Sequence, residues 1–148
     1  MSLKKQVDIY TDGACSGNPG KGGWCAILIY KGVEKVVSGG FGDTTNNRME
    51  LFAILAGLKQ LKESCRVTIY SDSAYAVNAF ELGWIDSWRA NQWRTKDRSE
   101  VKNKDIWSAL LMELAKHEVT FVKVKGHADN ELNNRCDKIA REEIAKLN

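Results

Sequence analysis

The 148-residue chain has little of several things, and each shortage excludes a class of protein. It holds one proline and no low-complexity tract, which argues against a linker-rich or disordered chain. With 43% hydrophobic and 28% charged residues it has the balance of an ordinary globular domain. No apolar run approaches the roughly 20 residues of a membrane span. The lysine-led start from Met1 to Gln6 lacks the apolar core of a signal peptide. An intracellular, cytoplasmic protein with no membrane partner is therefore expected. Cys15, Cys25, Cys65 and Cys136 form no C-x-x-C pair, so zinc-site spacing is absent and free thiols in a reducing compartment are expected. Phosphate-loop and Rossmann glycine spacings are missing, as is a G-x-S-x-G nucleophile elbow. A chain of this length buries about two-thirds of its unfolded surface, enough for one core. Residues 1–148 thus read as a single domain, with monomer the default from size.

Charge of one sign is in small excess. Twenty-two lysines and arginines against nineteen aspartates and glutamates give +3. The segment from Gly83 to Lys104 carries Arg89, Arg94, Lys96, Arg98, Lys102 and Lys104 against Asp86, Asp97 and Glu100, so the rest of the chain is balanced. It also holds Trp84, Trp88 and Trp93. Basic side chains interleaved with aromatics suit phosphates together with sugar and base faces. The step from 84 to 88 equally suits an amphipathic helix whose tryptophans are its buried stripe. On this segment alone both readings stand.

Val7 to Thr11 alternates as a strand does, and the spacing ends it at Asp12-Gly13. A glycine-rich loop from Cys15 to Gly23 precedes strands over Trp24 to Tyr30 and Glu34 to Ser38, a meander turning at Lys31-Gly32. Asn46 to Lys62 reads as a helix with Leu51, Ile54, Leu55, Leu58 and Leu61 on one face. A strand from Arg66 to Ser71, a short helix from Ser73 to Phe80 and the basic segment follow. A helix from Asp105 to Lys116, a strand from Val119 to Val124 and a helix from Leu132 to Lys146 complete the chain. Strands followed by alternating helices and strands predict a mixed α/β sheet.

Two strands end in nearly the same phrase. Ile9-Tyr10-Thr11-Asp12-Gly13-Ala14 is echoed by Ile69-Tyr70-Ser71-Asp72-Ser73-Ala74. If these strands lie side by side and parallel, both aspartates emerge on one face at the carboxyl edge, where open α/β sheets bind ligands. Alone, Asp12 suits a turn and Asp72 a helix cap. Their shared context favours function instead. Glu50 follows Asn47 by three residues, so a capping box is its structural reading. Asp137 sits early in the last helix, where the dipole favours a carboxylate. His127, in Lys125-Gly126-His127-Ala128, stands in an expected loop, and a lone loop histidine is commonly structural. Four carboxylates without a Cys or His set make a hard, all-oxygen site suited to Mg²⁺ or Mn²⁺. Two such ions can activate a water and stabilise a leaving oxygen.

These residues resemble ribonuclease H type 1. Thr11-Asp12-Gly13-Ala14-Cys15, Gly17-Asn18-Pro19-Gly20, Thr44 to Leu51, Ser71-Asp72-Ser73, Gly83-Trp84-Ile85, Val101-Lys102-Asn103, Val124 to Ala128 and Asn134-Arg135-Cys136-Asp137 agree with that family in order and spacing, from about Gln6 to Ala145. The resemblance implies an α/β fold with a five-stranded mixed sheet, an antiparallel meander plus two parallel strands, flanked by helices and bearing a basic helical protrusion. It implies an endonuclease cutting the RNA strand of an RNA–DNA hybrid, leaving 5′-phosphate and 3′-hydroxyl ends, with two Mg²⁺ ions that Mn²⁺ can replace. Asp12 would bridge the ions, Glu50 and Asp72 would complete one site, and Asp137 the other. His127 would be a mobile auxiliary in proton transfer or product release. Asn18, Asn46, Asn47 and Glu50 would meet the minor groove, where 2′-hydroxyls distinguish RNA. Thr45 and Asn103 would hold a DNA-strand phosphate, and Trp84 would pack on a deoxyribose.

Three departures stand out. Asp43 occupies a position where some relatives carry a phosphate-binding arginine. Ala74 stands where several have a glutamine reaching the minor groove. Asp129-Asn130-Glu131 makes the loop after His127 acidic. A non-catalytic hybrid-binding module would be expected to lack one of the four acids, and none is missing. A resolvase or transposase core would need further domains, and a phosphatase would leave the tryptophan-rich arm unused. His127→Ala is expected to slow turnover without silencing it. Single-turnover cleavage checks this, and its complete loss would contradict an auxiliary role.

Overall fold

Alternate residues of Val7-Asp8-Ile9-Tyr10-Thr11 are fully buried, as a strand more heavily covered on one face requires. In the computed structural model, which describes residues 4–95, 97–125 and 130–147, this segment forms β1 (Lys5–Gly17). Strands β2 (Gly20–Tyr30) and β3 (Val33–Thr44) extend from it antiparallel, while β4 (Cys65–Ser71) and β5 (Glu118–Lys123) add parallel strands on its other side. The sheet order is β3-β2-β1-β4-β5, the expected five-stranded mixed arrangement. Helices α1 (Asn46–Lys59), α2 (Ala74–Glu81), α3 (Trp84–Ala90), α4 (Lys104–Leu114) and α5 (Glu131–Ala145) complete the fold. None of them is long and apolar enough to cross a membrane.

One face of the sheet carries the larger core. Leu51, Ile54, Leu55 and Leu58 of α1 pack with Val7, Ile9, Val67 and Ile69 of the strands and with Trp107 and Leu110 of α4. On the other face, α5 lays Cys136 and Ala140 onto Cys25 and Ile27. A Cβ at Gly23 would come within 2.0 Å of the Ala140 carbonyl oxygen, so a glycine is what lets α5 approach the sheet. The four cysteines are free, and Cys136 Sγ donates to the Cys25 carbonyl at 3.1 Å.

Three sequence expectations change, and a fourth point, left open, is decided. β1 does not end at Asp12-Gly13, because Asp12 pairs with Cys25 and Gly13 with Trp24 in the β1–β2 ladder. The glycines between Cys15 and Gly23 belong mostly to that ladder and make room for neighbouring elements rather than a loop. α1 ends at Lys59, three residues earlier than periodicity suggests, as the Gln60 N–H turns back to the Gly57 and Leu58 carbonyls. The basic segment contains α3, and its tryptophans face inward: Trp88 lies 6.3 Å from Trp84, 6.2 Å from Trp93 and 5.6 Å from Trp107. Arg89, Arg94, Arg98, Lys102 and Lys104 remain exposed. The aromatic stripe anchors this arm, and its charges face solvent.

Trp107 is the largest fully buried side chain, and its indole N–H donates to the Tyr75 hydroxyl at 3.0 Å. Trp107→Ala is expected to cost about 3–5 kcal/mol, combining lost burial with a cavity. A fall in the urea midpoint checks this.

Candidate metal and nucleic-acid site

The echoed phrases lie side by side. Ile9 pairs with Ile69 and Tyr10 with Tyr70 in the parallel ladder, and the two tyrosine rings stack at 4.4 Å with 7° between planes. Two residues further on, Asp12 and Asp72 leave the same edge. Neither aspartate has the purely structural role of a turn former or a helix cap. Asp12 lies within the β1–β2 ladder, and the cap of α2 is Ser73, whose hydroxyl accepts the Ala76 N–H at 3.1 Å.

Glu50 joins them because of Gly13. A Cβ there would sit 2.5 Å from the Glu50 nitrogen and the Met49 carbonyl carbon, so only glycine admits the first turns of α1. The Gly13 N–H donates to Asp12 Oδ1 at 2.9 Å and also to Glu50 Oε1. The cap of α1 is Thr45, which accepts the Arg48 N–H at 3.2 Å, so Glu50 lies beyond any capping box. One carboxylate oxygen from each of Asp12, Glu50 and Asp72 falls within 4.8 Å of the others. Asp137, on α5, lines the same cleft of about 450 Å³ but pairs with Arg141 at 3.0 Å and stands outside that tight group.

Burial and crowding of these carboxyls have an electrostatic consequence. Burial, aided by the charges of Asp72 and Asp137, pushes the Asp12 carboxyl up to about 7 from 3.8, against hydrogen bonds from Glu50 and Gly13 that lower it. Glu50 is raised well above its ordinary value, first by burial and then by Asp12 and Asp72. An all-oxygen donor set of this kind fits a hard divalent cation, which would reverse the penalty.

The expected substrate contacts divide into free and committed groups. Asn46 and Asn47 are exposed at the cleft. Asn18 Oδ1 accepts the Asn46 N–H at 3.2 Å, tying the β1–β2 turn to α1. The Thr45 hydroxyl serves as a helix cap. Asn103 Oδ1 accepts from Arg48 at 3.3 Å, and its Nδ2 donates to the Tyr75 hydroxyl at 3.2 Å. Trp84 is half-buried against the core. Asp43 is exposed and lines a small hollow with Arg48 and Asp105, and Ala74 lines the acidic cleft. His127 and Asp129 lie outside the described residues. Sequence reasoning missed Arg48, which grips Asp105 through bonds of 3.0 and 2.7 Å, as well as Tyr75 and Asn133. Arg48 follows the Asn46-Asn47 pair directly, a signal that could have found it; Tyr75 had none.

Known proteins resemble this chain in sequence and in fold. The RNase H family model matches residues 4–145. A ribonuclease H of Caldicellulosiruptor saccharolyticus is 60% identical over 143 residues, covering 97% of this chain and 99% of its own. Another, from Caldanaerobacter subterraneus subsp. tengcongensis, is 56% identical over 140 residues, covering 95% and 92%. Among solved structures, LC9-RNase H1, a type 1 enzyme with a type 2 active-site motif, superposes with a TM-score of 0.88 at 25% identity, covering 100% of this chain and 76% of that one. LC11-RNase H1, solved in complex with RNA/DNA hybrid, shares the fold with a TM-score of 0.74 at 24% identity, covering 95% and 97%. Sheet, acids and relatives together define a ribonuclease H-like α/β protein. The chain belongs to the ribonuclease H family.

The raised Asp12 carboxyl sets a sign for stability. Its favourable contribution is whole below the ordinary carboxylate range and is lost as the pH rises through about 7. In chelator, Asp12→Asn is therefore expected to be the more stable protein above about pH 7, by on the order of 1–3 kcal/mol, with the gain fading toward about pH 4. Urea unfolding at several pH values checks this, and a gain independent of pH would contradict it.

Proposed function

We propose that this chain is an endonuclease hydrolysing the RNA strand of RNA–DNA hybrids, leaving 5′-phosphate and 3′-hydroxyl ends. The observation that carries the reading is the cluster of Asp12, Glu50 and Asp72 at the end of the parallel pair β1 and β4. These carboxylates would hold one Mg²⁺, and Asp12 with Asp137 a second, Mn²⁺ being the substitute. Bound there, such ions polarise a phosphodiester and lower the pKa of a water.

The chain's own residues supply position and selectivity. Asn46 and Asn47 present carboxamides at the cleft, where they can hydrogen-bond 2′-hydroxyls that DNA lacks. Arg48 and Tyr75 hold the Asn103 side chain from two sides, which sets the geometry of a phosphate contact shared with Thr45. The exposed charges of Arg89, Arg94, Arg98, Lys102 and Lys104 attract the backbone that the acids alone would repel. Trp84 would offer its accessible part to a deoxyribose, and Asn18 would act near the minor groove. His127 would assist proton transfer or product release. Residues 1–148 would act as one domain, monomeric and cytoplasmic.

One duplex sequence made as RNA–DNA, RNA–RNA and DNA–DNA, each with a labelled strand, tests this directly. Cutting of the RNA in the hybrid alone, dependent on Mg²⁺ and stopped by chelator, is the expected result. Asp12→Asn should lower that cleavage by at least about a thousandfold while hybrid binding survives, since charge is lost but little contact area. Cleavage by Asp12→Asn within a few-fold of the parent would sink the assignment. Binding without cutting, in Mn²⁺ as well, would instead favour a hybrid-binding module.

A further inference from the structure

Asn133 stands in the first turn of α5, one helical turn before Asp137, and is 4% exposed. Its backbone N–H donates to the capping oxygen of Asn130 at 2.9 Å, so capping is done by another side chain. The side-chain oxygen of Asn133 is buried and has no hydrogen-bond partner among the described residues. Folded proteins rarely leave such an acceptor unmet, because its lost hydration is not replaced. Asn133 also lines the acidic cleft with Asp12, Asp72 and Asp137.

The spacing explains what the oxygen can reach. Residues four apart lie on one helix face, so Asn133 and Asp137 flank the same end of the cleft. Asp137 already gives one oxygen to Arg141. A carboxamide oxygen is hard and uncharged, and it can accept a hydrogen bond without adding to the repulsion among the carboxylates. An apolar residue would serve packing alone better, as Cys136 and Ala140 do further along α5.

We infer that Asn133 is a positioning residue of the cleft, its Oδ1 accepting a hydrogen bond from a water molecule held on the Asp137 side. The use of that water in hydrolysis rests on the ribonuclease reading; its retention together with a divalent ion does not. Groups that orient a metal's surroundings in this way typically change ion affinity by about 10–100-fold when removed.

Asn133→Ala deletes the acceptor, whereas Asn133→Asp keeps an oxygen in its place. Melting in chelator, the rise in melting temperature given by Mn²⁺, and the Mg²⁺ dependence of hybrid cleavage are measured for both and for the parent. Asn133→Ala is expected to melt in chelator no lower than the parent. It should need about tenfold more Mn²⁺ for the same rise and about tenfold more Mg²⁺ for half-maximal cleavage, with Asn133→Asp restoring both. Unchanged ion requirements in Asn133→Ala overturn the inference. A lower melting temperature in chelator overturns it as well, since Asn133 would then be holding the fold. If the parent and Asn133→Ala differ in their Mn²⁺ response but the parent cuts no hybrid, the ribonuclease reading fails and the positioning role stands.

Discussion

Like charges forced together in a half-dry corner are the constraint on which the rest of this structure depends. A carboxylate prefers water, and three sharing a few ångströms repel one another as well. Their arrangement persists because each is fixed by an element with other reasons to be where it is. Asp12 and Asp72 follow strands whose pairing is set by Ile9 against Ile69 and by stacked tyrosines. Glu50 rides on a helix whose apolar face fills the main core. The core thus holds charges that would otherwise separate. A divalent cation held among them would offset that repulsion.

The fourth acid is held differently, and the difference is physical. Asp137 belongs to α5, which sits on the opposite face of the sheet through a smaller cluster and the clearance at Gly23. It is partly exposed and satisfied by Arg141, whereas Asp12 and Glu50 are buried. One side of the cleft is therefore buried, and the other is more exposed and set by one helix. A site divided in this way can keep a cation on its buried side while solvent and substrate exchange on the other.

How far the sequence carried the structure depended on whether a residue had one physical role or several. The echoed phrase was legible because strand periodicity leaves little freedom: two matching runs of alternation, placed parallel, must deliver their aspartates to one edge. By periodicity alone Glu50 and Asp137 were polar residues in helices; the resemblance grouped them with the aspartates, and the tertiary fold brings Glu50 beside Asp12. Glycine was misread. Composition treats it as loop material, yet Gly13 and Gly23 lie in strands where another backbone passes too close for a Cβ. The tryptophans of the basic arm were ambiguous for a similar reason. An indole at helical spacing suits a core and a ligand equally, and only the position of Trp107 decides that Trp88 turns inward. Asn133 carried no signal, since an asparagine near a helix start reads as a cap until Asn130 is seen to fill that role.

Separating the anchor of the basic arm from its charges resolves the electrostatic conflict of the molecule. A nucleic acid must approach a cluster of carboxylates that repels it. Were the arm's tryptophans committed to bases, its charges would be fixed only when substrate was present. With the indoles packed on the core, Trp88 against Trp107, the arm is placed in advance and Arg89, Arg94, Arg98, Lys102 and Lys104 face solvent. On the proposed reading, preplacement would spare the ordering cost on binding and let the charges steer a duplex before contact. The network of Arg48, Asn103, Tyr75 and Trp107 ties that arm to the helix bearing Glu50. On the proposed reading, attraction and chemistry would fall on separate surfaces, with the shared core fixing the distance between them.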